Sequence, residues 1–231
     1  MKKIFVLLLL SSVFIVGCKN GCNKKGNVPS SGEDSIDVNL GERADDSMHN
    51  NPITPVDSIQ LKASKDSILT GLTKEVLTIF KNKQYTKLDS LIHPEEGVRF
   101  SPYATVLPED NRFSREAFHK LVTTNKNKKQ NWGSYDGSGD PISLTPAEYF
   151  NKFVYDANFV SPQKFDINNF IQTGNSVNNL KSRYEGSDFT ESHFSGTKKY
   201  GGMDWKSVRL IFKEVNGKYY LVGVVHDQWT I

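Results

Sequence analysis

The closing stretch of the chain, "MDWKSVRLIFKEVNGKYYLVGVVHDQWTI", constrains the fold more than any other. Two runs rich in Val, Ile, Phe and Tyr flank Asn216-Gly217, the residue pair that supplies the two positive φ angles of a type I′ hairpin turn. With Val215 opposite Lys218, pairing residue for residue sets Lys206 opposite Asp227. One face then carries Val208, Leu210, Phe212, Leu221 and Val225. The other carries Trp205, Ser207, Arg209 and Ile211 against Tyr220, Val222, Val224, His226 and Gln228. Apolar walls with a few convergent polar groups are how small-molecule pockets are lined. Trp205, Ser207, Arg209, Tyr220 and His226 are therefore the expected ligand-binding residues. If that pocket is catalytic instead, His226 moves a proton near neutral pH, Arg209 binds an anionic substrate group and Tyr220 lies beside them, as in a cyclase or isomerase.

Upstream, apolar residues recur at three- and four-residue spacing. Ile68, Leu69, Leu72, Val76, Ile79 and Phe80 predict an amphipathic helix. A shorter helix follows from Tyr85 to Ile92 and stops in "HPEEG", where His93, Glu95 and Glu96 form a turn and not a metal cluster. "VRFSPYATV" alternates as a strand. Helices are expected at Ser114–Thr123 and Thr145–Val154, the second with Thr145, Pro146 and Glu148 set out as a capping box. Dense aromatics from Trp132 to Phe170 point to core. Helices, a strand, a helix and a long hairpin make an α+β order with an antiparallel sheet.

"DGSGD" raises the question of a cation. Asp136, Ser138 and Asp140 hold the first, third and fifth places of a calcium-loop spacing, but Pro141 replaces the turn glycine and Glu148 falls one place late. A Gly/Ser turn between strands is the expectation, with calcium stabilisation as a further alternative and the metal candidates limited to those three residues. His193 has Glu191 on the same side of a short strand, which is an incomplete ligand set. Phosphate loops, HExxH, GxSxG and cysteine-nucleophile patterns do not occur, so no cofactor is expected. A binding or interaction domain is the expected function, with a small molecule or an envelope protein as partner.

The other end of the chain speaks to location. "MKKIFVLLLLSSVFIVGC" reads as a basic start, an apolar run too short for a comfortable span, and a small residue before cysteine. Ile15-Val16-Gly17-Cys18 resembles the lipobox of bacterial lipoproteins. That resemblance implies that residues 1–17 are cleaved, that Cys18 is acylated and that the membrane is a partner, with Lys19 compatible with the outer membrane. Two or more acyl chains suffice for stable attachment. Residues 18–65, rich in Asn, Ser, Gly, Pro and Asp, read as a tether spanning roughly 40 Å as a coil. Residues 66–231 read as one domain.

Across the whole chain, 37% of residues are hydrophobic and 24% charged, which suits a globular domain. The net charge of +3 includes Lys2 and Lys3 of the leader, and no basic run is left to hold nucleic acid. The phrases "HPEEGVRFSPY", "WGSYDGSGDPI", "EYFNKFVYD" and "LVGVVHDQWTI" resemble an uncharacterised family of bacterial lipoprotein domains over Ile68–Ile231. The element order resembles an NTF2-like or SnoaL-like cone, and that resemblance implies a curved antiparallel sheet packed against the N-terminal helices around a pocket. Neither resemblance supplies an activity, because unrelated functions share that cone.

Overall fold

A computed structural model describes residues 55–230. Cys18, the leader and the tether up to residue 54 lie outside the described residues. Four helices, α1 (Pro55–Lys81), α2 (Arg115–Val122), α3 (Pro146–Phe153) and α4 (Leu180–Arg183), accompany eight strands. The strands are β1 (Val98–Ser101), β2 (Arg112–Phe113), β3 (Gln130–Ser134), β4 (Pro141–Leu144), β5 (Lys164–Ile167), β6 (Asp188–Phe194), β7 (Lys206–Val215) and β8 (Lys218–Gln228). Six of them form a sheet in the order β2-β1-β8-β7-β6-β5, while β3 and β4 form a separate hairpin. The class is α+β, with a curved, mainly antiparallel sheet; the β1–β8 pairing is parallel.

The local signals explain the elements. Helix α3 starts where Thr145 accepts the Glu148 N–H and the Glu148 carboxylate takes the Thr145 N–H, with Pro146 in the first turn. Ser114 caps α2 through the Ala117 N–H. The stretch expected as a second helix is a single 3-10 helix, Tyr85–Ser90. Its "HPEEG" exit is a turn in which His93 Nδ1 accepts the N–H groups of Glu95 and Glu96 at 3.2 and 3.0 Å.

Helix α1 begins at Pro55, inside the segment expected to be tether, and Val56, Ile59 and Leu61 on this extension are exposed. Its buried stripe is Leu69, Thr73, Val76, Leu77 and Phe80, whereas Ile68 is 45% exposed. Those residues pack with α2, α3 and one face of the sheet, where Phe100, Val208, Leu210, Phe212, Leu221 and Val224 point. Trp132 and Tyr149 stack at 3.9 Å in the middle of this layer, edge-on to Phe100. The aromatics between helices and sheet are thus core, filling the space that would otherwise be a central cavity.

The sheet's opposite face is covered by the long connection between β5 and β6. Phe170 stacks on Phe189 at 4.9 Å, and Leu180 joins Ile211, Val222 and Val225 in a second cluster. A Cβ at Gly174 would stand 3.1 Å from the Trp205 ring, so this strap lies against β7 as closely as a glycine allows.

Candidate functional site

The closing hairpin turns at Asn216 and Gly217 with φ of 53° and 76°, and pairs as expected from Val215↔Lys218 to Phe212↔Leu221. Beyond that point the expected register is wrong. A bulge between Ile211 and Phe212 on β7 leaves Val222 on β8 as the extra residue, so Ile211 pairs with Gly223, Val208 with His226 and Ser207 with Asp227. One inserted residue moves every later side chain of β8 to the other face.

The expected five-residue site is therefore divided. His226 points to the helix layer, edge-on to Phe153, with Nε2 3.3 Å from Asp156 Oδ1. Lys206, expected opposite Asp227, instead holds Asp156 Oδ2 at 2.6 Å. Burial pushes the Asp156 carboxyl up, but the His226 and Lys206 groups outweigh it and hold the pKa below its ordinary value. Tyr220 lies at the hairpin's far end, beside His93 and under Arg115. Only Trp205, Ser207 and Arg209 remain together, so a pocket joining His226, Arg209 and Tyr220 does not form.

Around Arg209 the strap seals a charged network. Glu191, His193, Ser207 and Arg209 are each 0% exposed. Arg209 Nε donates to Glu191 Oε2 at 2.9 Å, its Nη2 donates to the Gln172 carbonyl at 2.8 Å, and its Nη1 lies 2.8 Å from Asp227 Oδ2. That last contact is an ion pair without hydrogen-bond alignment. Ser207 directs its proton to Glu191 Oε1 at 2.6 Å, so the neighbouring His193 Nδ1, 2.8 Å away, donates to Ser207. This polarity is opposite to that of an activated nucleophile, whose proton goes to the imidazole. Burial lowers the His193 pKa and raises that of Asp227, the latter partly offset by Arg209. Trp205 closes the end of the network against the His193 ring. The Ile171 N–H donates to Glu191 and the Phe170 ring lies 5.0 Å from the guanidinium, so the network ties the strap to the sheet.

Asp136, Ser138 and Asp140 form the exposed turn of the β3–β4 hairpin, with Ser138 Oγ accepting the Asp140 N–H and backbone bonds linking Tyr135 to Asp140 and Gly139. These are the bonds of a turn. Among the described residues no group of three or more His, Cys, Asp or Glu side chains is arranged to hold a metal ion.

A different residue holds the open chemistry. Asp110, in the β1–β2 connection, is 7% exposed. Its Oδ2 accepts the Ser101 hydroxyl at 2.5 Å and the Leu107 N–H at 2.9 Å, whereas no described residue hydrogen-bonds Oδ1. Burial raises its pKa, and the two donors and the Arg99 charge only partly offset this. The carboxyl opens on a pocket of 240 Å³ bounded by Tyr103, Leu107, Ser134, Tyr135, Asp136 and Ser176. Tyr103 Oη accepts the Asp136 N–H at 3.2 Å, which joins the DGSGD turn to the pocket wall. Tyr149 Oη is buried without a partner, and burial, then Asp110 and Tyr103, push its pKa well up. Sequence carried no signal for Asp110: "LPEDNRF" is a polar loop with no period, and only the fold places it behind Ser101.

A depression of 760 Å³ between α1 and β5 is an open groove whose Lys65 is already paired with Asp188 at 2.9 Å. No family model, curated protein or solved structure matches this chain.

Proposed function

We propose that the chain is a lipid-anchored protein of the bacterial cell envelope whose domain is an NTF2-like, non-catalytic binding module, with the Asp110 pocket as its ligand site. One observation carries the binding assignment. Asp110 is a buried carboxyl with one oxygen saturated by protein donors and the other left for a partner, at the wall of a small pocket. Such a group favours a ligand that completes its bonding. Polar groups suited to catalysis are sealed under the strap and bonded to one another, which supports binding over turnover. Support for the NTF2-like assignment is the element order, helices on one face of a curved sheet that ends in a long hairpin.

The anchor rests on Ile15-Val16-Gly17-Cys18, and no helix among the described residues is long and apolar enough to cross a membrane. Cys18→Ser is expected to shift the protein from the membrane to the soluble fraction and to abolish incorporation of labelled palmitate. A variant that stays in membranes and still takes up label overturns the anchor.

A further inference from the structure

We propose that the Asp110 pocket takes a small organic cation, a primary ammonium of a few carbons, whose N–H groups donate to the Asp110 oxygen that protein donors leave open. This rests on the reading of that pocket as the ligand site. Its bounding side chains include two carboxyls, Asp110 and Asp136, and neither lysine nor arginine. An anionic ligand would meet repulsion there, and a divalent metal lacks a third ligand. The walls are phenol rings, Tyr103 and Tyr135, whose faces attract ammonium groups. The structure already shows that attraction at the pocket's edge: Lys152 Nζ lies 4.5 Å from the Tyr135 ring centroid and 3.3 Å from its hydroxyl. Lys152 occupies the Tyr135 ring, so Tyr103 is the ring left for a ligand.

The pocket is built and not merely concave. Ser101 and Leu107 fix the Asp110 carboxyl, and the Asp136 N–H and the Phe153 ring, edge-on at 5.8 Å, fix Tyr103. Its 240 Å³ is below the range that drug-sized ligands need, which limits the occupant to one small molecule. Arg99, whose Nη1 is held by the Leu107 carbonyl at 2.6 Å, acts on the Asp110 carboxyl from outside the pocket lining and Glu109 opposes it, so burial still dominates and the carboxyl has no cation among its own hydrogen-bond partners; a bound ammonium supplies one. Binding then requires the carboxylate form, so affinity rises with pH through the range where Asp110 loses its proton and is flat above it.

The test is calorimetric titration of the full-length chain in detergent with methylammonium and tetramethylammonium chloride. Glucose serves as the neutral probe, sodium acetate as the anionic probe and potassium chloride as the salt control. Among the probes a saturable signal is expected from methylammonium, weakened at least about tenfold by Asp110→Asn, with tetramethylammonium, which has no N–H to donate, binding more weakly. Asp136→Asn, at an exposed turn where folding is safe, weakens it several-fold. Ammonium binding unchanged in both variants places the cation elsewhere and overturns the proposal. Binding of glucose or acetate that Asp110→Asn abolishes, without ammonium binding, overturns the ligand class but keeps the pocket. No saturable binding by any probe overturns both.

Discussion

Replacing Arg209 by Met is expected to lower the unfolding free energy by about 3–5 kcal/mol, read from the urea midpoint at constant slope. The magnitude follows from what is left behind. Glu191 is 0% and Asp227 2% exposed, and Arg209 is the cation against both. Without it two carboxylates remain out of water with no positive partner. The strap also loses its guanidinium bond at Gln172 and the cation over Phe170. Acid should relieve part of the loss. Asp227 has a folded-state pKa above its unfolded value, so its contribution is fully present below the unfolded pKa and is lost as pH rises through the folded one. The variant should therefore recover stability as pH falls through that window. A triple apolar replacement, Arg209→Met with Glu191→Met and Asp227→Leu, should be less damaged than Arg209→Met alone. A single-variant loss below about 1 kcal/mol would show that the network is hydrated and not sealed.

Trp132→Ala is the second large effect, with an expected cost of about 3–5 kcal/mol. Trp132 is 1% exposed, stacked on Tyr149 and edge-on to Phe100, and its Nε1 donates to the Leu144 carbonyl at 2.9 Å. Truncation opens a cavity where α3, the β3–β4 hairpin and β1 meet, and those elements are held apart by other rings and cannot close it. Trp132→Phe keeps most of the ring volume and loses the indole bond, so it should cost less. Equal losses for Ala and Phe would mean that the hydrogen bond, and not the packing, holds this junction.

Elements governed by local chemistry were legible in the sequence. The Thr145–Glu148 box, the helix from Ser114, the Asn216-Gly217 turn and the Leu69–Phe80 stripe each depend on residues a few positions apart. The hairpin register was legible only as far as Phe212↔Leu221. The one sign of a bulge in "YYLVGVVHD" is the isolated glycine, Gly223, since glycine inside a strand marks a bulge or a close backbone approach, and here the Tyr184 hydroxyl stands where its Cβ would be; it does not say that the extra residue is Val222. That one residue put His226 and Arg209 on opposite faces and exchanged Lys206 for Arg209 as the partner of Asp227. Asp110 was illegible for another reason. Its partners, Ser101 at the end of β1, Tyr103 in the loop that follows and Tyr135 in a distant hairpin, are brought together only by tertiary packing. The parallel β1–β8 pairing is likewise a long-range contact, invisible to periodicity.

Amide chemical-shift mapping of the full-length chain, titrated with a set of small cationic, neutral and anionic molecules, tests most directly whether the Asp110 pocket is the ligand site. The expected shifts cluster at Tyr103–Asp110 and Gly133–Asp136. Shifts clustered at Trp205–Arg209 and His226, or along the α1–β5 groove, with Asp110 and its neighbours unmoved, would contradict it.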